Sequence, residues 1–374
     1  MLSKKIKVIS IGDIHLGHRK TPARNTLKFL EEVFPNRAKM EDVDLIFITG
    51  DVFDRLLSYP DDNVFEIELW INKFLRICKK YDVVVRMVEG TPSHDWKQSK
   101  SFMKINEMMD IGADIKYFEA LDIEHNEKFG IDILYIPDEW RPECDDTWLD
   151  VQKLMARKGL DKVDFINMHG AFSYQLPEFL SSSTHDPERY LSITRYFIYV
   201  GHIHKHTVND RIIAAGSTDR LAHNEEEDKG YVETIVDPKG QHKITFIPNE
   251  MAIVYKTLAC VDDNVEKTLK FLEKEIKKLP EHSYIRIKAS ADNPILSSSS
   301  METLKGLFPN VHLDTLLDKD TKVNSQTLVD LRNSYQPIKI TKNNIVELLT
   351  SRLSSKVDCN IKLDKASDLL KQFI

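Results

Sequence analysis

The sequence contains few cysteines and no long apolar run. Its four cysteines, Cys78, Cys144, Cys260 and Cys359, are scattered without a CxxC pair, which argues against a disulfide framework or a zinc knuckle and predicts reduced thiols. No window approaches about 18 consecutive uncharged apolar residues, so no membrane span and no membrane partner are expected. The first residues enter a predicted strand without the apolar segment of a secretory signal, and we expect a cytoplasmic protein.

The sequence also lacks an excess of basic residues. Lysine and arginine total 52 against 59 aspartate and glutamate residues, which gives a net charge of -7 at pH 7. This balance argues against nucleic-acid binding that is driven by overall charge. It does not exclude a nuclease, because bound divalent cations and a local basic patch can reverse the sign of the charge at a site.

Predicted strands alternate with predicted helices over the first two thirds of the chain. Five apolar runs read as strands: 5–11, 43–49, 83–88, 163–168 and 195–200. Helical patterns between them and a β-rich end predict a layered α/β domain over 1–248. The pattern then restarts as a β-α-β-α-β unit over 249–318. Residues 319–374 read as a polar linker followed by two closing helices.

Acidic or imidazole side chains follow each of the five strands. They are Asp13, His15, Asp51, His94, His169, His202 and His204. Loops beyond the strand ends of an α/β sheet gather ligand sites, so these side chains could converge. Carboxylates and imidazoles without a thiolate suit Mn, Fe or Zn better than Ca, and one bridging carboxylate suits two ions about 3.5–4 Å apart. Taken singly, each residue could be a loop or packing residue, but their joint occurrence after five strands argues against that reading.

These motifs resemble those of the calcineurin-like metallophosphoesterases. The matching segments are Asp13-Ile14-His15, Gly50-Asp51-Val52-Phe53-Asp54, Ser93-His94-Asp95, His169-Gly170 and Gly201-His202-Ile203-His204. A further stretch, Ala215 to Leu221 with Lys229-Gly230-Tyr231, resembles the DNA double-strand-break-repair nucleases of the SbcD type. The resemblance implies a layered β-sandwich phosphoesterase domain flanked by helices, with a small α+β capping domain after it. It also implies a Mn-dependent DNA exonuclease or endonuclease that acts in repair, recombination or replication.

The resemblance further implies a role for each site residue. Asp13, His15, Asp51 and His204 would hold one divalent ion, and Asp51, His169 and His202 would hold the other, with Asp51 bridging the pair. Mn²⁺ is the ion that the family implies. His94 would stabilise or protonate the leaving oxygen, and Asp95 would orient His94.

The sequence departs from the family pattern at one expected ligand. The family reads Gly-Asn-His-Asp, whereas this chain reads Gly90-Thr91-Pro92-Ser93-His94-Asp95. Ser93 stands where the asparagine ligand of the second ion is expected. A hydroxyl is a poorer ligand than an amide carbonyl, and either Ser93 or Thr91 could take the position.

Partners and competing functions follow from the same resemblance. DNA, an SMC-like ATPase subunit of the SbcC type and a second copy of the chain are the implied partners. The two closing helices would dock the ATPase, or else form a self-packed tail. Two other functions remain open: a phosphatase or cyclic-nucleotide phosphodiesterase that acts on a small molecule, and a non-catalytic scaffold on the same fold.

Overall fold

The computed structural model describes residues 2–59, 61–138, 143–176, 184–290 and 293–318. Residues up to Leu317 belong to one compact unit. The linker and the two closing helices expected in 319–374 lie outside the described residues. The division into a phosphoesterase domain and a capping domain at about residue 248 stays a prediction.

The described helices and strands follow one another in this order: β1 (Ile6–Ile11), α1 (Ala23–Glu32), β2 (Leu45–Ile48), α2 (Asp62–Lys80), β3 (Val84–Val88), α3 (Pro92–Asp95), α4 (Lys100–Met108), β4 (Ile115–Phe118), β5 (Asp122–Asn126), β6 (Ile131–Ile136), α5 (Cys144–Lys158), β7 (Val163–His169), α6 (Pro187–Ser192), β8 (Thr194–Gly201), β9 (Thr207–Asn209), β10 (Ile212–Ala214), β11 (Gly230–Val236), β12 (His242–Pro248), β13 (Tyr255–Ala259), α7 (Val265–Ile276), β14 (Tyr284–Ala289), α8 (Ser298–Leu307) and β15 (His312–Leu317). A π-helical turn, Val33–Arg37, continues α1.

The strands form two six-stranded sheets and one smaller sheet. The first sheet has the order β12-β11-β1-β2-β3-β4, and the second has the order β5-β6-β7-β8-β10-β9. In the first sheet β1 to β4 run parallel to one another, whereas β11 is antiparallel to both of its neighbours, β1 and β12. In the second sheet β6, β7, β8 and β10 run parallel between antiparallel edge strands.

The central strands are rich in apolar residues because both of their faces are covered, and β2 is apolar along its whole length. On β2, for example, Leu45 and Phe47 belong to a core that lies between the two large sheets. The alternate residues, Ile46 and Ile48, belong to a second core that includes side chains of α1, α2 and α4. The outer face of the second sheet is covered in the same way by α5 and α6. The result is a four-layer α-β-β-α sandwich.

The third sheet has a core of its own. Its strands β13, β14 and β15 are all parallel, and α7 and α8 pack on them. This arrangement matches the β-α-β-α-β unit expected from the sequence. In the described part of the chain, no helix combines the length and the apolar character that a bilayer crossing requires.

The predicted layered α/β sandwich is confirmed. The five strands with polar ends are divided between its two large sheets. The first three, β1, β2 and β3, lie in the first sheet, whereas β7 and β8 lie in the second. The candidate ligands therefore come from two facing sheets, whose strands end on the same side of the sandwich. The sequence analysis also missed β4 and α6, both of which are short.

Candidate metal centre

The loops after β1 and β2 are joined by a series of backbone hydrogen bonds. The amide of Asp13 donates to the carbonyl of Gly50 at 3.0 Å, and the amides of Ile14 and His15 both donate to the carbonyl of Asp51 at 2.8 and 3.1 Å. The amide of Leu16 continues the series to Val52 at 2.9 Å. These bonds hold the two Asp-containing turns side by side, so that neither carboxylate depends on its own loop alone for its position.

Four candidate ligands have backbones in the left-handed region that favours glycine. The φ angles are 47° at Asp13, 53° at His15, 48° at Asp51 and 99° at His202. Each such residue costs of order 1–3 kcal/mol and persists only where the surrounding structure fixes it. The concentration of this strain in four of the predicted site residues indicates a functional site at this end of the sandwich.

Asp13, His15 and His204 form the first group of converging side chains. One ligand atom from each lies within 4.8 Å of the others. The Nε2 atoms of His15 and His204 are 3.1 Å apart. Two nitrogens bound to one ion at about 2.1 Å lie about 3.0–3.4 Å apart when the bonds meet at 90–110°. The observed separation fits that geometry.

The other ring nitrogens of these two histidines face carboxylates. Nδ1 of His204 lies 2.9 Å from Oε1 of Glu225, and Nδ1 of His15 lies 3.4 Å from Oδ1 of Asp54. When Nδ1–H donates to a carboxylate, Nε2 presents its lone pair. Nε2 of His204 therefore presents its lone pair towards Nε2 of His15 at 3.1 Å, a separation at which both nitrogens can bind one cation. The residues present therefore fit a divalent ion at this group.

Asp51, His169 and His202 form the second group, again with ligand atoms within 4.8 Å of one another. Nδ1 of His169 donates to the backbone carbonyl of Thr49 at 2.7 Å, which leaves Nε2 facing Oδ1 of Asp51 at 3.5 Å. Asp51 also lies near the first group, since its Oδ2 is 3.8 Å from Nε2 of His15. Its carboxylate is thus shared between the two groups, as the family resemblance implies.

Thr91, and not Ser93, lies beside the second group. The Thr91 hydroxyl is 3.3 Å from Oδ2 of Asp51 and 3.3 Å from Nε2 of His169. Its backbone amide donates to Oδ1 of Asp51 at 2.6 Å. Ser93 is exposed, and its backbone carbonyl accepts a hydrogen bond from the indole of Trp96. With two more residues than the family pattern between Gly90 and His94, the loop brings Thr91 rather than Ser93 to the second group.

His94 lies at the open edge of the two groups. Its Nδ1 is 3.0 Å from Oδ2 of Asp51, and its side chain is 37% exposed. Asp95 has different partners from those expected. Its buried carboxylate accepts hydrogen bonds from the amides of Phe53 at 2.9 Å and Gly90 at 2.8 Å, and among the described residues it makes none with His94. Asp95 therefore fixes the loops that carry Asp51 and His94.

Asp51 and the imidazoles around it shift each other's pKa. Burial opposes the ionisation of Asp51, but the neighbouring imidazoles of His169, His94 and His15 outweigh it and hold the pKa of Asp51 well below its usual range. Burial lowers the pKa of His169, but the charge of Asp51 outweighs this effect and raises that pKa to about 10. Because a ligand imidazole must be neutral, an ion at this group would displace a proton and bind more tightly as the pH rises.

Two glycines make this approach of the loops possible. A Cβ atom on Gly90 would lie 2.1 Å from the amide nitrogen of Asp51 and 2.3 Å from its Oδ1. A Cβ atom on Gly201 would lie 2.2 Å from the backbone carbonyl of Thr49, which holds His169. A side chain at either position would push apart the segments that bring the candidate ligands together.

The structure brings together all of the predicted site residues except Ser93. Sequence reasoning missed Glu225, the partner of His204. It lies 21 residues further along the chain, in a segment between strands, and no spacing pattern points to it. Asp54 was within reach of sequence reasoning, since it is the second acidic residue of the motif after β2.

The fold, a helix-flanked sandwich of two mixed sheets, is that of a metallophosphoesterase. The chain belongs to the calcineurin-like phosphoesterase family, because the family model matches residues 6–206, more than half of the 374 residues. Membership indicates a metal-dependent hydrolase of phosphoesters, and the two candidate ligand groups agree with that class.

The comparison with solved structures gives only distant matches. One is the crystal structure of the protein TT1561 of Thermus thermophilus, with a TM-score of 0.37 and 12% identity, covering 64% of this chain and 98% of that one. Another is a glutamine-dependent NAD+ synthetase from Acinetobacter baumannii in complex with ADP, with a TM-score of 0.31 and 13% identity, covering 94% of this chain and 73% of that one. No curated protein matches the sequence.

Proposed function

We propose that this protein is a Mn-dependent DNA nuclease of the SbcD type that hydrolyses phosphodiester bonds with two metal ions. The observation that carries the proposal is the position of Asp51. Its carboxylate lies 3.5 Å from Nε2 of His169 in one candidate group and 3.8 Å from Nε2 of His15 beside the other. A single carboxylate between two sets of imidazoles is the arrangement that a two-ion phosphodiesterase needs.

The candidate groups account for the chemistry of the proposed reaction. Two bound ions lower the pKa of a water molecule and neutralise charge on the phosphoryl oxygens. Asp13, His15 and His204 would hold one ion, and Asp51, His169, His202 and Thr91 would hold the other. His94, half-exposed at the edge, has access to the leaving oxygen and can give it a proton.

The stretch that resembles the nucleases of the SbcD type contacts the candidate centre directly. The amide of Ser217 donates to the carbonyl of His204 at 3.0 Å, and the amide of Thr218 donates to the carbonyl of Asp13 at 3.4 Å. Lys229, from the second part of that resemblance, donates to the carbonyl of His204 at 2.9 Å. These contacts place the nuclease-like residues beside the candidate centre, and their resemblance to the SbcD type is the reason to propose a DNA substrate over a small phosphoester.

A direct comparison of substrates tests the proposal. The wild-type protein with Mn²⁺ is expected to degrade a linear DNA duplex and to hydrolyse a small phosphodiester, bis-p-nitrophenyl phosphate, much more slowly. Asp51→Ala and His94→Ala should each abolish DNA degradation, as should chelation of the metal. Efficient hydrolysis of the small ester without DNA degradation would favour a small-molecule phosphodiesterase. Failure to bind Mn²⁺ and to cleave either substrate would favour a scaffold.

We also propose that an SMC-like ATPase of the SbcC type is the partner and that residues 337–374 carry the contact. The test is co-purification of that ATPase with the full chain and with a chain truncated after residue 336. Loss of the ATPase on truncation supports docking by this segment. If the truncated chain still co-purifies with the ATPase, the proposed docking by residues 337–374 is rejected.

A further inference from the structure

A cavity of about 560 Å³ lies next to the candidate metal centre, on the other side of the loop after β3. Glu89, Pro92, Trp96, Lys97 and Glu119 are among its lining residues. The cavity and the centre share this loop, which also carries Thr91 and His94. Its volume is within the range of about 300–1,000 Å³ that is typical of small-molecule sites. The cavity is therefore large enough to hold a nucleobase, and it borders the loop that carries two residues of the candidate centre.

Trp96 presents a fixed aromatic face at this cavity. Its side chain is 54% exposed, which is unusual for so large an apolar group. The indole is nevertheless held in place, since its Nε1 donates to the carbonyl of Ser93 at 2.7 Å. The backbone at Trp96 has a φ of 48° and ends α3, so the side chain leaves the helix at a defined angle. An exposed and oriented indole is a stacking surface for a planar ring.

The polar wall of the cavity contains the carboxylates of Glu89 and Glu119 and the ammonium group of Lys97. Glu89 is buried, and it accepts hydrogen bonds from the amide of Lys97 at 2.8 Å and from the hydroxyl of Tyr117. Glu119 pairs with the ammonium groups of Lys97 at 3.1 Å and Lys100 at 2.8 Å. Carboxylates repel phosphate but accept hydrogen bonds from the amino groups of nucleobases. The two carboxylates of the wall can therefore accept hydrogen bonds from the amino group of a base.

We infer that this cavity binds a nucleobase of the substrate, stacked on Trp96, while the adjoining phosphodiester lies at the candidate metal centre. The inference rests on the proposed function for the position of the phosphodiester. The carboxylate wall adds a preference for an amino-bearing base, such as cytosine or adenine, over thymine.

The first test measures binding of a nucleotide without hydrolysis. Deoxycytidine monophosphate is titrated into the full chain by calorimetry, with thymidine monophosphate and inorganic phosphate as comparison ligands. We expect the cytosine nucleotide to bind most tightly, Trp96→Ala to weaken its binding about 5- to 150-fold, and Trp96→Phe to restore part of the affinity. Phe65→Ala, which removes another exposed aromatic side chain on α2, is the matched control. Equal affinity of the wild-type protein and Trp96→Ala would overturn the inference.

The second test separates this inference from the proposed function. The ratio of kcat/KM for a p-nitrophenyl ester of deoxycytidine monophosphate to that for methyl p-nitrophenyl phosphate is measured with Mn²⁺. Trp96→Ala should lower this ratio, because only the first ester carries a base. An unchanged ratio would overturn the base site and leave the proposed function standing. If neither ester nor DNA is hydrolysed while nucleotide binding still depends on Trp96, the proposed function fails and the base site stands.

Discussion

Glu225 accepts a hydrogen bond from Nδ1 of His204 at 2.9 Å and is itself held by the buried ammonium of Lys229 at 3.2 Å. Burial raises the pKa of Glu225, but His204 and Lys229 outweigh it and lower that pKa to about 2. Glu225 is therefore a carboxylate at any physiological pH. It fixes the tautomer of His204 that presents Nε2 to the first candidate group.

Loss of this carboxylate should weaken metal binding without removing a ligand. We expect Glu225→Ala to reduce Mn²⁺ affinity about 10- to 100-fold, because His204 loses its orienting partner. Glu225→Gln should lose less Mn²⁺ affinity, because glutamine keeps the shape of the side chain and can still accept a hydrogen bond from Nδ1 of His204. Calorimetric titration with Mn²⁺ measures both affinities. Equal binding by the wild-type protein and Glu225→Ala would contradict a positioning role.

Thr91 and Ser93 offer a matched pair of hydroxyl deletions. Because the Thr91 hydroxyl lies 3.3 Å from both Asp51 and His169, Thr91→Val should weaken one of two Mn²⁺ binding steps by about 10-fold or more. Thr91→Ser should restore it. Ser93→Ala should leave both binding steps unchanged, since Ser93 is exposed. The reverse pattern, a loss in Ser93→Ala alone, would show that the loop rearranges when ions bind.

His94 should affect turnover more than metal binding. We expect His94→Ala to lower kcat for DNA cleavage about 10²- to 10⁴-fold, the range for removal of a group that transfers a proton. Its affinity for Mn²⁺ should change much less than that of Asp51→Ala, since His94 lies at the edge of the two groups. Parallel measurement of kcat and of Mn²⁺ affinity separates the two effects. A loss of metal binding as large as in Asp51→Ala would make His94 a ligand.

Asp219 gives the protein a defined dependence of stability on pH. The buried carboxylate accepts hydrogen bonds from the amides of Arg220 at 2.7 Å and Ile253 at 2.8 Å. Burial outweighs these bonds and raises the pKa of Asp219 from 3.8 to about 6. For an acid with a raised pKa, the stabilising contribution is fully present below about pH 3.8 and is lost as the pH rises through about 6.

Asp219→Asn should remove that part of the pH dependence. The raised pKa of Asp219 corresponds to a contribution of about 3 kcal/mol to the free energy of unfolding. About 2 kcal/mol of this contribution is lost between about pH 4.5 and about pH 7. The free energy of unfolding, measured in urea at both pH values, should therefore fall more for the wild-type protein than for Asp219→Asn. Parallel pH profiles of the two proteins would contradict the raised pKa.

The sequence was most informative where one strand ends in one ligand. Asp13 and His169 could be placed because each comes at the end of an apolar-rich run that is buried along most of its length. The pairing of strands was harder to predict from the sequence, because an apolar run does not show which of the two sheets its strand joins. The sequence therefore predicts a layered sandwich without assigning each strand to one of its two sheets.

Contacts within the site depend on loop geometry that spacing does not encode. Thr91 faces Asp51 because α3 begins at the next residue, and the helical turn then carries Ser93 outward. Glu225 reaches His204 from a segment between strands, where no periodic pattern exists. These positions follow from hydrogen bonds between distant loops, and only the folded chain shows them.

The most direct test of the two-ion site is anomalous X-ray diffraction from crystals of the protein grown with Mn²⁺. We expect two anomalous peaks about 3.5–4 Å apart, one beside Asp13, His15 and His204 and the other beside His169 and His202, with the carboxylate of Asp51 between them. Crystals with no anomalous peak between these two groups, or with a single ion that does not contact Asp51, would contradict the account.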